Sequence, residues 1–159
     1  MATRRTARVA ALHGAFVVGF TGTRSGMTPA QAEAVDALLA RLAAADPTRP
    51  LCGLHGDCIG ADADFDAICK RRRIPVKLRP SSLPDMRARC DSEAIAEPRP
   101  PLARNREIVA DSDVLIACPF SGAEIVRSGV WATVRAMRRH RRPIYVVAPD
   151  GALAVEPAP

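Results

Sequence analysis

Leu51-Cys52-Gly53-Leu54-His55-Gly56-Asp57-Cys58-Ile59-Gly60-Ala61-Asp62 passes from an apolar run, through a glycine-bearing turn, into a helical pattern over residues 61–72. Gly56 and Gly60 let the backbone take φ > 0 there and let a ligand come close. A helix that starts at the end of such a turn aims free N–H groups, and the positive end of its dipole, at whatever sits there. Strand, turn and helix in that order predict a cradle for a phosphate or nucleotide. Many βα turns carry glycine and bind nothing, so the reading gains its weight from two similar turns elsewhere in the chain.

Upstream, Phe16-Val17-Val18-Gly19-Phe20 reads as a first buried strand. It ends in a second such turn, Thr21-Gly22-Thr23-Arg24-Ser25-Gly26. Thr28 then caps a helix, with Pro29 at its first position and Gln31 completing a Thr-x-x-Gln capping box. Val35, Leu38, Leu39 and Leu42 share one face of that helix. In the next helix Ala61, Phe65 and Ile68 point one way and the acids the other.

Downstream, residues 74–78 form a weaker strand whose Pro75 argues for an edge position. Residues 79–101 carry five prolines and little periodicity. A loop of this length is either a lid or an irregular surface wrap. Pro101 opens a helix with Leu102, Asn105, Ile108 and Val109 on one side, before the clearest buried strand, residues 113–118. A loop with Gly122 follows, and Ser128-Gly129 opens a fourth helix with Val130, Val134 and Met137 inward. Residues 144–147 are the last strand.

Strict strand–helix alternation predicts an α/β three-layer sandwich with a parallel sheet of about five strands. The expected strand order is 3-2-1-4-5. Residues 1–14 are read as a flexible basic arm, 15–151 as a single nucleotide-binding domain, and 152–159 as a loose tail. All three glycine-bearing turns follow strands. They are expected to gather at the strand C-terminal edge, where such sheets bind ligands.

Composition narrows the alternatives. Aromatic residues make up only 4% of the chain against 48% hydrophobic, so the core is built from Ala, Val, Leu and Ile. That excludes the ring-bearing surfaces of RNA-recognition sheets and OB folds. Apolar runs are of strand length, so no membrane span is expected. The net charge of +6 is concentrated at Arg4-Arg5, residues 70–73 and residues 138–142. The last two clusters close predicted helices, where cations are favoured. Five cysteines without a secretion signal read as free thiols in a cytoplasmic protein. Cys52-x-x-His55-x-x-Cys58 supplies only three ligands, so no metal is expected, and no cofactor.

Four segments together, Gly19-Phe20-Thr21-Gly22-Thr23-Arg24, His55-Gly56-Asp57-Cys58-Ile59-Gly60-Ala61-Asp62, Arg104-Asn105-Arg106-Glu107-Ile108-Val109 and Arg127-Ser128-Gly129-Val130-Trp131-Ala132-Thr133, carry a resemblance. The set resembles the Rossmann-like superfamily of the DNA-processing protein of natural transformation and the Lonely guy cytokinin-activating enzymes. It is most like small uncharacterised members of that group. The resemblance implies a nucleotide or nucleotide-derived ligand, and commonly a homodimer. The Lonely guy enzymes hydrolyse the N-glycosidic bond of nucleoside 5′-monophosphates through an Arg-Lys pair and a Pro-Gly-Gly-x-Gly-Thr-x-x-Glu motif. Here Asn105 stands where the lysine belongs, and Thr133 where the glutamate belongs. A threonine cannot replace a carboxylate in stabilising an oxocarbenium-like centre at neutral pH.

The candidate ligand-binding residues are Gly22, Thr23, Arg24, His55, Gly56, Asp57, Gly60, Ala61, Asp62, Arg104, Asn105, Ser128, Gly129 and Thr133. Arg104, Glu107 and Glu124 are the catalytic candidates. His55 is either a ribose or acid–base contact or a hydrogen-bonded structural histidine. Asp62 is either a ribose ligand or a cap. Trp131 is packing or a dimer contact, and Cys118 is core. Helix starts at Thr28, Ala61 and Ser128 are expected to converge on the phosphate. Arg104→Ala and Gly60→Val are expected to abolish binding and leave the fold intact. The leading reading is a binding or sensor module for a nucleotide-like small molecule. The alternatives are an N-glycosidic hydrolase of nucleoside monophosphates and, less favoured, a DNA-binding accessory protein.

Overall fold

The computed structural model describes residues 12–156. The basic arm expected over residues 1–14 lies almost wholly outside them. The central strands are β1 (Phe16–Gly22), β2 (Leu51–His55), β3 (Val76–Leu78), β5 (Val114–Cys118) and β6 (Ile144–Val147). A two-residue strand, β4 (Ala94–Ile95), lies outside β3, and β7 (Leu153–Glu156) lies outside β6. The sheet order is β4-β3-β2-β1-β5-β6-β7, parallel except for the β6–β7 pair. The five expected strands keep their expected order, and two more extend the sheet.

Both additions correct the sequence reading. Pro75 does not make β3 an edge: it precedes the strand, and its carbonyl accepts from the Gly53 N–H at 2.9 Å. Residues 152–156 are not a loose tail. Val155 and Glu156 pair with Tyr145 and Ile144, and the Glu156 carboxylate takes two hydrogen bonds from the Arg138 guanidinium, at 2.8 and 2.6 Å. That clamp holds the Glu156 carboxyl below its ordinary range. Four residues with no strong apolar alternation carry too little pattern to announce such a strand.

Helices α1 (Pro29–Ala45) and α2 (Ala61–Arg71) cover one face of the sheet, and α3 (Pro101–Asp111) and α4 (Gly129–Arg139) cover the other. β5 shows why both faces need cover. Val114, Ile116 and Cys118 pack with Val35, Leu39 and Phe65 of α1 and α2. Leu115 and Ala117 pack with Val109, Val130 and Val134 of α3 and α4. Alternate side chains of a strand leave opposite faces, so a strand buried on both reads as a continuous apolar run. Trp131 and Val134 are buried in this second core, which leaves Trp131 as packing within the chain. All five cysteines are free, with Cys52, Cys69 and Cys118 buried. Burial pushes the Cys118 thiol up to about 12.

The capping box at the head of α1 forms as expected: Thr28 Oγ1 accepts from the Gln31 N–H, and Gln31 Oε1 accepts from the Thr28 N–H, both at 3.0 Å. Gln31 has a second role. Its buried Nε2 donates to the carbonyls of Pro119 and Val147, tying together the ends of β5 and β6. Among the described residues no helix is long and apolar enough to cross a membrane.

Candidate functional site

The chain runs outward from β1 to β2, β3 and β4, then crosses back to β5 on the other side of β1. The winding reverses there: β1 and β5 stay paired to their ends, at Gly22 and Cys118, but the helices that follow them, α1 and α4, cover opposite faces of the sheet. A cavity of about 480 Å³ lies at this point. Its wall includes residues 20–24 after β1, Gly56, Cys58 and Asp62 after β2, the first turns of α3 and α4, Met86 and Phe120.

The turn after β2 supplies the framework of the cavity. Gly60 has φ +90° and heads α2. A Cβ on it would lie 2.2 Å from the Arg24 carbonyl oxygen, so only glycine lets the two turns touch. They are also joined by the Ala61 N–H, which donates to the Thr23 carbonyl at 3.0 Å. Asp62 Oδ2 accepts from the N–H groups of Gly56 and Cys58, both at 3.1 Å, and so closes the turn on itself. Burial raises the Asp62 carboxyl above its ordinary range, against the pull of His55, of these N–H donors and of Arg104.

His55 is fully buried and does not line the cavity. Its Nδ1 accepts from the Asp57 N–H at 3.0 Å, and its Nε2 meets Asp66 Oδ1 at 3.1 Å. An accepting Nδ1 places the neutral ring's proton on Nε2, toward Asp66. Asp57 is also buried, at φ +55°, with its carboxylate on Arg87 Nε and the Cys90 N–H. These bonds pin residues 87–90 to the turn. The long loop is thereby a wrap that delivers Met86 to the cavity wall.

Arg104 is 5% exposed. Its Nη1 donates to the Gly56 carbonyl at 2.6 Å and its Nε to Asn105 Oδ1 at 2.8 Å, while both Nη atoms lie 3.5 Å from Cys58 Sγ. A Cβ on Gly56 would fall 2.1 Å from that guanidinium, so this glycine serves Arg104. Arg24, by contrast, is exposed and has only the Met86 thioether, at 3.4 Å, as a side-chain partner among the described residues. At the head of α4, Ser128 Oγ accepts from the Trp131 N–H at 3.4 Å. The N–H groups of Gly129 and Val130 face no protein acceptor among the described residues, as expected of a helix's first turn. Thr133 Oγ1 donates to the Gly129 carbonyl at 3.0 Å.

Ten of the sequence candidates therefore border one cavity: Gly22, Thr23, Arg24, Gly56, Asp62, Arg104, Asn105, Ser128, Gly129 and Thr133. His55, Asp57, Gly60 and Ala61 do not. The side chains of His55 and Asp57 are taken by Asp66, Arg87 and backbone N–H groups, the Ala61 N–H by Thr23, and Gly60 packs on the Arg24 carbonyl, so these four act as the frame. Of the three helix starts, only that of α4 borders the cavity. Thr28 is engaged with Gln31 and the Pro149 carbonyl, and the Ala61 N–H with Thr23. Glu107 is paired with Arg79 and Arg99, and Glu124 with Arg135 and Arg138. Neither glutamate lies on the cavity wall, which leaves Asp62 as its carboxylate. Sequence reasoning missed Cys58, Met86, Leu102 and Phe120 on the wall. Cys58 lay inside the quoted turn; the others carried no signal beyond an apolar side chain in a loop or helix start.

His55, Asp66 and Cys90 have ligating atoms within 4.8 Å of one another. The Asp57 N–H on Nδ1 keeps the proton on Nε2, the nitrogen a metal would need, and Lys70 Nζ already holds Asp66 Oδ2 at 2.5 Å. The cluster reads as a buried hydrogen-bond chain and not as a metal centre.

No family model matches the chain, and no curated protein matches it. A solved structure, the molybdenum cofactor binding protein from the phototrophic bacterium Rippkaea orientalis, is similar, with a TM-score of 0.60 and 20% identity over 83% of this chain and 76% of that one. At that identity the likeness shows a shared mixed α/β fold.

Proposed function

We propose that the cavity at the reversal point binds a small anionic ligand, the phosphate of a nucleotide or nucleotide-derived molecule, as a binding or sensor module. The observation that carries this reading is the charge on the wall. Two guanidinium groups, Arg24 and Arg104, border the cavity, and neither forms an ion pair among the described residues. Asp62 is the opposing carboxylate, and its ionisation is disfavoured by burial. A buried cation without a paired anion is costly, and a bound anion would relieve that cost. The free N–H groups at the head of α4 supply neutral donors on the same wall. The resemblance to the superfamily of the DNA-processing protein and the Lonely guy enzymes supports a nucleotide. The molybdenum cofactor of the structural neighbour is the second ligand to test.

Binding without hydrolysis is the favoured form. Thr133 donates its hydroxyl proton to Gly129 and offers no carboxylate, and Asp62 is held by two backbone N–H groups. A homodimer and a cytoplasmic location remain part of the proposal. Exposed Leu102, Ile125 and Val126 on that side of the molecule, and five free thiols, support them.

Titration calorimetry against the common nucleoside monophosphates, with mass spectrometry and molybdenum analysis of whatever copurifies, tests the reading. Micromolar binding that weakens about ten-fold in Arg24→Ala is expected, because one charge-assisted hydrogen bond contributes about 1.5–3 kcal/mol. No anionic ligand in either experiment would overturn it. Release of free base on incubation with a monophosphate would restore the hydrolase, with Asp62 as its carboxylate. Sedimentation at micromolar concentration decides the dimer.

A further inference from the structure

We propose that Phe120 is a stacking platform for a planar ring on the cavity's ligand, so that the site takes a heteroaromatic phosphate in preference to a sugar phosphate. The inference rests on the anionic-ligand reading above and adds the chemistry of the ligand's other end.

The chain holds six aromatic side chains: four phenylalanines, one tryptophan and one tyrosine. Phe20, Phe65 and Trp131 are buried, and Phe16 and Tyr145 are half-buried. Phe120 alone is exposed, at 75%, and it borders the cationic cavity. A phenylalanine left in water forgoes the favourable transfer that the other rings obtain. A protein this poor in aromatics places its one exposed ring beside a cavity wall that carries Arg24 and Arg104, neither in an ion pair among the described residues.

The backbone at Phe120 is held from behind. Gln31 Nε2 donates at 3.0 Å to the carbonyl of Pro119, the preceding residue, and at 2.9 Å to that of Val147. The ring therefore leaves a fixed point at the end of β5. Leu102, on the first turn of α3, is 68% exposed and borders the same cavity. Phe120 and Leu102 form an apolar rim, while Arg24 and the head of α4 form the anion end. A ligand with a flat π-surface and a phosphate satisfies both; a sugar phosphate satisfies only the second.

Calorimetry with four probes, adenosine 5′-monophosphate, guanosine 5′-monophosphate, ribose 5-phosphate and inorganic phosphate, decides the matter on wild type, Phe120→Ala and Phe120→Trp. Wild type is expected to bind at least one nucleotide ten-fold or more tighter than ribose 5-phosphate. Phe120→Ala should remove about that factor for the nucleotide and leave ribose 5-phosphate and inorganic phosphate unchanged. Phe120→Trp should keep the preference and add an indole emission that the nucleotide quenches. An unchanged melting temperature confirms that the fold survives each substitution at this exposed site. Equal wild-type affinity for nucleotide and ribose 5-phosphate would overturn the platform and leave the anion site standing. So would a Phe120→Ala variant that weakens all probes alike, or one that alters only the sedimentation mass. Failure of wild type to bind any probe would overturn both.

Discussion

The turn after β2 and the loop leading into α4 border the same cavity, but their polar groups have opposite fates. In the turn, His55, Asp57 and Ala61 are engaged with Asp66, Arg87, Cys90 and Thr23, and Gly60 packs against the Arg24 carbonyl. At the head of α4, two N–H groups face no protein acceptor among the described residues, and an added Cβ on Gly129 would meet nothing within 4 Å. One region is saturated and the other is open. A dense pattern of glycine, histidine and aspartate can therefore signal a rigid frame, while ligand capacity sits in a plainer sequence whose donors are left over. The same contrast divides the two arginines: Arg104 braces the frame and Arg24 stands free.

The largest expected effect is at Gly60. Gly60→Val combines a Cβ 2.2 Å from the Arg24 carbonyl oxygen with a backbone at φ +90°. It should destabilise the protein by about 3 kcal/mol or more in urea unfolding, lowering the melting temperature by roughly 10 °C. The sequence alone predicted an intact fold for this variant. A valine protein as stable as wild type would break the idea of a saturated turn.

Arg104→Ala should come next, because it leaves the buried Gly56 carbonyl without its donor. A loss of about 2 kcal/mol or more is expected from unfolding, so any loss of binding by this variant must be read together with its stability. An Arg104→Ala protein that unfolds at the wild-type midpoint would show that Arg104 serves the ligand alone and not the frame as well.

Asp62 sharpens the comparison through pH. Its folded-state carboxyl is raised above the ordinary 3.8. Between that value and the raised one, the folded state holds more proton than the unfolded state, so this group's contribution to stability falls as pH rises. Asp62→Asn keeps an acceptor for Gly56 and Cys58 and removes the charge. Its stability, followed by urea unfolding from pH 4 to 7, should fall less steeply with rising pH than that of wild type. Parallel curves would show that no proton is linked there.

The smallest effects on stability belong to the open side. Arg24→Ala and Gly129→Ala should each lie within about 0.5 kcal/mol of wild type. Arg24→Ala should still cost about ten-fold in phosphate affinity, measured by calorimetry. A destabilised Arg24→Ala would mean that the thioether contact with Met86 matters to the fold.

Much of the architecture was legible in local pattern. Strand–helix alternation, the box of Thr28 and Gln31, the apolar face of α1 and the continuous run of β5 each depend on residues close in sequence, and each formed as read. The additions at the sheet edges were not legible. β4 has two residues, and β7 depends on a clamp between Arg138 and Glu156, 18 positions apart. The likeness of the fold to a molybdenum cofactor binding protein agrees with this part of the reading.

By itself the sequence determined which turns follow strands, and so which residues reach one edge of the sheet: Gly22, Gly56 and Gly129 do border one cavity. Only the tertiary structure decided which polar groups on that edge are already taken. Partners such as Asp66 for His55, Arg87 for Asp57, Gly56 for Arg104 and Arg138 for Glu124 come from 11 to 48 residues away. A side chain's hydrogen-bonding capacity is a property of its type, but whether that capacity remains for a ligand depends on what the fold brings within about 3 Å of it.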